Sequence, residues 1–125
     1  MTNRVVHFDF AVDDPDRATK FWEEAFGWKV TKWDSSAMDY WLVMTGSEDD
    51  PGIDGGLALR QEGTPNTEVT LDVEDVAAAV AKVEAAGGTV VVPPMPIPGV
   101  GYLAYCLDTE GNRFGLMTSD PSAGA

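Results

Sequence analysis

The amino-acid sequence predicts an α+β fold made of two tandem βαβββ modules. The main observation is a repeat, because residues 7–14 realign with residues 68–75 at a constant spacing of 61 positions. In each copy, a strand of alternating polarity ends in Val-acid-Asp and runs into a helical pattern. Gly27 and Gly88, which close the two helical patterns, keep the same spacing. Self-similarity of this kind indicates a duplicated supersecondary unit.

The elements of the first module, about residues 1–61, follow from hydrophobic periodicity. Residues 5–12 have a period of two, as in a β-strand with one apolar face and one mixed face. Asp14 and Pro15 are typical of a helix N-terminus, and apolar residues then recur every three or four positions until Gly27. An acidic loop interrupts the remaining strands, which are predicted at residues 28–33, 40–44 and 56–60.

The second module, about residues 62–120, repeats this order. Its first strand is predicted at residues 68–73, and Asp75 is expected to cap the second helix. The proline-rich residues 93–98 are predicted to form an extended connector and one wall of a pocket, because proline lacks the N–H that a central strand needs. Residues 121–125 are predicted to form a flexible tail. The remaining strands are predicted at residues 89–92, 102–107 and 114–118.

Composition restricts the kind of partner. The formal net charge of −13, from 8 basic and 21 acidic residues, argues against nucleic-acid binding, which needs clustered Lys and Arg. A cationic ligand, a high-salt host or simple solubility would each suit this surface. No apolar run is long enough to span a bilayer, and the N-terminus lacks the pattern of a signal peptide. Cys106 is the only cysteine, so the sequence has no disulfide framework and a cytoplasmic location is expected. Cys106 itself is predicted to be a small buried hydrophobic residue.

Candidate binding residues lie on the strand faces that point away from the helices. In the first strands of the two modules these are His7 and Asp9, and Glu68, Thr70 and Asp72. Such polar faces are either solvated or, beside aromatic strands, part of a lined concavity. Aromatic side chains on an inward face would stack on a planar ligand, whereas the others would join the core. The additional candidates are Trp33, Tyr40, Trp41, Met95, Tyr102 and Tyr105.

Five segments carry a resemblance to a known family. They are His7-Phe8-Asp9-Phe10-Ala11-Val12-Asp13-Asp14, residues 20–28, Gly55-Gly56, residues 84–88 and residues 108–115. Together they make the sequence similar to the vicinal oxygen chelate superfamily, the group of glyoxalase I, bleomycin-resistance proteins and extradiol dioxygenases. The resemblance covers residues 4–118. It implies that the strands of both modules form a cupped mixed sheet around a cavity, and that the protein is a homodimer.

The resemblance also implies where a metal would bind in metal-dependent members. His7 matches the first-strand histidine of the first module, and Glu68 matches the first-strand ligand position of the second. Gly115 stands at the usual last-strand ligand position, and the repeat position near Gly56 also lacks a ligating side chain. A catalytic divalent site generally uses three protein ligands. We therefore expect no cofactor; the alternative is Zn, Ni, Fe or Mn held by His7 and Glu68.

Two functions from different classes are compatible with these residues. The first is a small-molecule binding protein with an incomplete metal site, which would sequester a cationic or aromatic ligand. The second is an enzyme: a metal-dependent lyase, isomerase or dioxygenase, or a metal-free catalyst in which His7 transfers a proton together with Glu68. The missing last-strand ligands favour binding, and His7 keeps catalysis open. In either case the expected partner is a small molecule, not a nucleic acid or a membrane.

Overall fold

The computed structural model describes residues 3–34 and 38–124. Within these ranges it contains eight strands and two helices in the predicted order, so the α+β fold is confirmed. Neither of these helices combines the length and apolar character that crossing a membrane requires. In chain order the elements are β1 (Arg4–Val12), α1 (Pro15–Phe26), β2 (Lys29–Lys32), β3 (Tyr40–Met44), β4 (Asp54–Leu59), β5 (Thr67–Asp72), α2 (Val76–Ala85), β6 (Thr89–Ile97), β7 (Gly101–Leu107) and β8 (Arg113–Ser119).

The elements belong to two compact units. The first unit is His7–Glu68, and the second is Val69 onward together with the first residues of the chain. The boundary therefore falls later than the repeat suggests. The segment that follows β4 stays with the first unit because the guanidinium of Arg60 donates hydrogen bonds to the side chains of Asp13 and Asn66.

The first unit combines α1 with strands in the order β2-β3-β4-β1, in which β1 runs parallel to β4 and the other pairs are antiparallel. The helix begins after Asp14, whose side chain accepts a hydrogen bond of 3.1 Å from the N–H of Arg17. It ends at Gly27, which has the left-handed φ of 73° that glycine tolerates best. The buried core residues of this unit are Val12, Val43 and Leu57.

An aromatic cluster attaches α1 to the sheet. Phe10 of β1 stacks on Trp22 of α1 with 5.4 Å between ring centroids, and Trp22 stacks on Trp28 at 4.4 Å. Phe8 lies 5.9 Å from Trp28. The prediction that this face of β1 packs on the helix is confirmed. Because side chains alternate along a strand, the residues between these aromatics lie on the opposite face.

The second unit combines α2 with strands in the order β5-β8-β7-β6, in which β5 runs parallel to β8. The side chain of Asp75 caps α2 by accepting hydrogen bonds from the N–H groups of Ala77 and Ala78. Cys106 is 0% exposed, as predicted. Burial, with a smaller contribution from Glu84, raises the pKa of its thiol. The buried core residues of this unit are Val73, Val76, Ala104, Cys106 and Leu116.

The proline-rich segment differs from its prediction. Residues 93–98 were expected to form an extended connector after a strand at residues 89–92, but β6 continues to Ile97, and Met95 pairs with Leu103 of β7. The pairing shifts register on either side of Val92. The prolines are tolerated because β6 is the last strand in the order β5-β8-β7-β6, and because irregular pairing leaves some positions without a need for an N–H donor.

Residues 121–124, predicted to be part of a flexible tail, instead form a hydrogen-bonded turn. The N–H of Ala123 donates to the carbonyl of Asp120 (3.0 Å), and the carbonyl of Ala123 accepts from the N–H of Gly99 (3.0 Å). The side chain of Ala123 is 3% exposed. The turn is therefore packed against the loop between β6 and β7. Residue 125 lies outside the described ranges.

Candidate functional site

His7, Asp9 and Tyr40 form a hydrogen-bonded cluster in the first unit. The Nε2 atom of His7 lies 2.6 Å from the hydroxyl oxygen of Tyr40 and 3.2 Å from Oδ1 of Asp9. The hydroxyl of Tyr40 donates a short hydrogen bond to the same Asp9 oxygen. The rings of His7 and Tyr40 are nearly parallel, with an interplanar angle of 27°. Three groups that each hold or accept a proton are thus in direct contact.

Strand alternation explains why these side chains meet. On β1, Phe8 and Phe10 face α1, so His7 and Asp9 point to the other side of the sheet. On β3, Trp41 and Val43 pack with the core, so the alternate residues point to the same side as His7. We call this surface the His7 face; it carries His7, Asp9, Tyr40, Leu42 and Met44.

Gly56 makes the position of Tyr40 possible. It pairs with Asp9 on one side and with Leu42 on the other, at the centre of the His7 face. A Cβ atom at position 56 would overlap the hydroxyl oxygen and Cζ of Tyr40. Gly55 has a separate role on the opposite face, where a Cβ would meet the Phe8 ring at 2.7 Å. The phenol of Tyr40 therefore occupies the space that a side chain at position 56 would need.

The protonation of the cluster follows from its geometry. A phenol has one proton, and an ionised carboxylate only accepts hydrogen bonds. The pattern that satisfies all three groups has Tyr40 donating to Asp9, while the Tyr40 oxygen accepts from a proton on Nε2 of His7. This assigns the tautomer from the hydrogen-bond network. In this state Nε2 is a donor, and its lone pair is not available to a metal.

The cluster borders exposed apolar side chains. The side chains of His7 and Asp9 are 32% and 20% exposed. On the neighbouring strand, Leu42 is 42% exposed and Met44 is 53% exposed. Methionine and leucine side chains at such positions offer apolar contact area beside a small number of polar groups, which is the usual composition of small-molecule sites.

The predicted aromatic candidates of the first unit lie on different faces. Trp33, just beyond β2, makes a T-shaped contact with Tyr40 at 6.2 Å between ring centroids. The backbone N–H of Trp33 donates a hydrogen bond of 2.8 Å to the backbone carbonyl of Tyr40. Trp41 packs against the core on the opposite face, and Nζ of Lys32 lies 5.6 Å from its ring centroid. Trp33 and Tyr40 are therefore close to His7, whereas Trp41 is not part of the cluster.

In the second unit, Thr70 and Tyr105 surround Gly115. Thr70 is 5% exposed, and its Oγ1 would lie 2.8 Å from a Cβ at position 115. The Tyr105 ring would lie 3.4 Å from the same atom, and the guanidinium of Arg113 stacks over this ring at 4.4 Å. A larger side chain at the usual last-strand ligand position would therefore displace its neighbours.

Four other candidate site residues lie on β5 to β7, one in the first unit and the others in the second. Glu68 is half-buried on β5 in the first unit. Asp72 pairs with Met117 of β8, in register with Leu103 and Met95. Tyr102, which is 37% exposed, lies on the opposite face of β7 from Tyr105, because three positions separate them.

The donor set does not fit a catalytic divalent metal. Within residues 3–34 and 38–124, no three His, Cys, Asp or Glu side chains form a group that could hold a metal ion. Nε2 of His7 is engaged by Tyr40 and Asp9. Gly56 and Gly115 supply no ligand, and neighbouring side chains occupy the space beside them. A site with three protein ligands and an open position is therefore not formed by these residues.

Comparison with known proteins places the chain in a family. It is 30% identical over 121 residues to the "Putative glyoxylase CFP32" of Mycobacterium tuberculosis, covering 96% of this chain but 46% of that protein. It is 25% identical over 124 residues to the "Probable lactoylglutathione lyase" of Vibrio cholerae, covering 92% and 90%. The fold matches a methylmalonyl-CoA epimerase solved with methylmalonyl-CoA and NH4+, with a TM-score of 0.71 at 17% identity over both full chains.

The family model extends over nearly the whole chain. It matches residues 4–116, which include both βαβββ units up to the last strand. The chain spans about half the length of the mycobacterial relative, 46%, so the match is to part of that protein. On this match and on the shared fold, the chain belongs to the Glyoxalase/Bleomycin resistance protein/Dioxygenase superfamily.

Proposed function

We propose that the chain is a small-molecule binding protein of this superfamily, which sequesters a cationic or aromatic ligand on the His7 face without a resident divalent metal. The observation that carries the proposal is the His7–Asp9–Tyr40 cluster beside exposed Leu42 and Met44. A few convergent polar groups within an apolar surface give both orientation and binding energy to a small ligand.

The charges on this face favour a cation. Asp9 is a half-buried carboxylate in the cluster, and Asp54 pairs in register with His7 on β4. The cationic side chain of Lys29 belongs to β2, which is three strands away from β1, the strand that carries Asp9. A partly desolvated carboxylate attracts a cation more strongly than one in water. The aromatic edge formed by Trp33 and Tyr40 adds a surface on which a planar or cationic group can stack.

Ligand-observed NMR tests this proposal, followed by calorimetry on the compounds that bind. The panel pairs aromatic cations with neutral and anionic analogues of the same shape. We expect the aromatic cations to bind. We expect Asp9→Asn to weaken their binding by at least roughly tenfold, because the charge-assisted contact is lost. Asp39→Asn is the matched control, since Asp39 is an exposed carboxylate paired with Lys32 at 3.5 Å. Equal effects of the two variants would contradict the proposed site.

A second candidate function is metal-free proton transfer. It is favoured by one observation, the contact of a phenol with both an imidazole and a carboxylate in the same cluster. Such a chain of groups can pass a proton between His7 and Asp9 through Tyr40. The partners of His7 in this scheme are Asp9 and Tyr40 and not the predicted Glu68.

The reaction named by the curated relatives provides the test of this second candidate. Chelator-treated protein would be assayed for formation and cleavage of lactoylglutathione, with His7→Gln as the comparison. Turnover that survives chelation and falls by roughly a hundredfold or more in His7→Gln would support acid–base catalysis by this cluster. Absence of turnover, together with tight binding of an organic cation, would leave binding as the function.

A further inference from the structure

Helix α1 leaves two adjoining aromatic rings exposed on the surface of the first unit. Phe21 is 55% exposed and Phe26 is 65% exposed. Their ring centroids lie 6.5 Å apart, and Phe21 also makes an edge contact with Trp22 at 4.9 Å. A single exposed apolar side chain is ordinary on a protein surface, whereas adjoining ones mark interaction surfaces. This side of α1 therefore has the composition of a docking surface.

Charged side chains surround Phe21 in an ordered pattern. Arg17 precedes Phe21 by four positions and Glu24 follows it by three, so the three side chains lie on one face of the helix. Lys20, four positions before Glu24, adjoins the same face. All four residues are exposed. We call this surface, made of Arg17, Lys20, Phe21 and Glu24, the Phe21 face; it is basic in its N-terminal half and acidic at its C-terminal end.

The charges of the Phe21 face are not used inside the chain. Among residues 3–34 and 38–124, the side chains of Arg17, Lys20 and Glu24 form no ion pair and no hydrogen bond. Arg17 contributes its backbone N–H to the helix cap at Asp14, and its guanidinium is not involved. The charged ends are thus available to a partner outside the chain, and the partner that suits them carries the opposite order of charges.

A second copy of this chain offers that order. When two identical helices pack antiparallel about a two-fold axis beside residues 20 and 21, Arg17 of each copy lies opposite Glu24 of the other copy. Phe21 then lies at the centre of the contact, and the charged pairs lie on either side of it. A wholly acidic partner, by contrast, would place a like charge against Glu24. Central aromatic residues with a polar rim are the usual anatomy of a protein interface.

We infer that the Phe21 face joins two copies of this chain through an antiparallel pair of α1 helices, with reciprocal ion pairs between Arg17 and Glu24. The resemblance implies a homodimer, and the inference assigns the surface that forms it. One helix from each copy gives a contact at the small end of specific interfaces, so we expect a dissociation constant in the micromolar range. The inference goes beyond the proposed function, because α1 lies on the side of the sheet opposite the His7 face.

Charge reversal tests both the surface and the orientation of the helices. Sedimentation velocity of the untagged chain across the micromolar range should show a monomer–dimer equilibrium. Arg17→Glu and Glu24→Arg each place like charges opposite one another, so each should weaken the dimer by at least roughly tenfold. The double variant, and an equimolar mixture of the two single variants, restore opposite charges and should dimerise again.

Two further variants complete the design. Phe21→Ser should also weaken the dimer, because it removes the central ring of the contact. Lys82→Glu is the matched control: it reverses an exposed charge on α2 in the second unit and should leave the association unchanged. Circular dichroism would show that each variant keeps its secondary structure, so that a loss of the dimer is not a loss of the fold.

Three results would overturn the inference. The first is a wild-type chain that stays monomeric throughout this range, which would leave the Phe21 face to a different partner or to none. The second is a dimer that survives the α1 variants, because another surface would then hold it. The third is single variants whose lost association returns neither in the double variant nor in the mixture, because the helices would then not pair antiparallel.

Discussion

Gly56→Ala is the substitution that most directly perturbs the arrangement of the site. The added Cβ would overlap the hydroxyl oxygen and Cζ of Tyr40, so the phenol must leave its place above β4. Tyr40 would then lose its hydrogen bonds to His7 and Asp9 and its edge contact with Trp33. The backbone of position 56 has no positive φ, so the effect comes from crowding and not from backbone strain.

The expected loss of stability can be estimated from these contacts. Forcing an extra methyl group into a packed place costs about 1–3 kcal/mol. Breaking a hydrogen bond to a charged group costs about 1.5–3 kcal/mol, part of which water recovers at a half-exposed site. We therefore expect Gly56→Ala to lower the free energy of unfolding by about 2–4 kcal/mol. Urea unfolding followed by tryptophan fluorescence measures this difference.

Two comparisons make the result interpretable. Gly46→Ala adds the same methyl group where the nearest atom of Asp50 would be 3.6 Å away, so it should change stability by less than about 0.5 kcal/mol. In a Tyr40→Ala background the overlap is gone, so Gly56→Ala should cost little there, in the manner of a coupled pair. A Gly56→Ala protein as stable as Gly46→Ala, with unchanged His7 NMR signals, would refute the reasoning.

Three other predictions concern the parts of the fold that support the site. Trp22→Ala should lower the free energy of unfolding by about 3 kcal/mol in urea unfolding, because it removes the 4.4 Å stack on Trp28; a loss below about 1 kcal/mol would contradict this. Cys106 should react with a thiol reagent in the native protein at least roughly a hundredfold more slowly than in urea, since it is 0% exposed and burial raises its thiol pKa; equal rates would be the contrary result. Hydrogen bonds from the Asn112 side chain, and from the backbone N–H groups of Asn112 and Glu110, lower the pKa of Asp108 below its ordinary 3.8. The ionised Asp108 carboxylate therefore stabilises the folded state at pH values above 3.8, and this stabilisation is lost as the pH falls through the lower folded-state pKa. Asp108→Asn should therefore be less stable than wild type near neutral pH, with a difference in urea midpoint that shrinks below about pH 4, and a constant difference would contradict the assignment.

Much of the fold could be predicted because it is encoded locally. Alternation along β1 places Phe8 and Phe10 on the helix side, and Asp14 and Asp75 cap the two helices as their positions suggest. The repeat then predicted the same order of strands and helix in both modules. The same local rules predicted that His7 and Asp9 share the face away from α1.

The cluster itself could not be predicted, because it depends on register between distant strands. Tyr40 reaches His7 since β3 pairs with β4 so that Tyr40 lies opposite Ala58 and Leu42 opposite Gly56. No periodic pattern in the sequence encodes that pairing. Adjacent residues on one strand must face opposite ways, but the sequence could not show which of Tyr40 and Trp41 lies on the same face as His7, for the same reason. The signal that could have helped is Gly56, the first residue of a predicted strand, because a glycine in a strand often marks close approach of another group.

Two corrections have a common cause. The proline-rich segment joined β6, and residues 121–124 packed into a turn, because contacts from β7 and from the loop at Gly99 compensate for unfavourable local composition. Tertiary contacts of this kind are not visible in a single sequence. The homodimer, the cytoplasmic location and the ligand remain predictions.

The central claim is that the His7–Asp9–Tyr40 cluster operates without a resident metal. Metal content of untagged protein, purified without chelators and measured by mass spectrometry beside His7→Ala, tests it most directly. The account predicts substoichiometric Zn, Ni, Fe and Mn in both proteins. Near-stoichiometric metal in the wild type that disappears in His7→Ala would contradict it, because His7 would then be a ligand and not the hydrogen-bond partner of Tyr40.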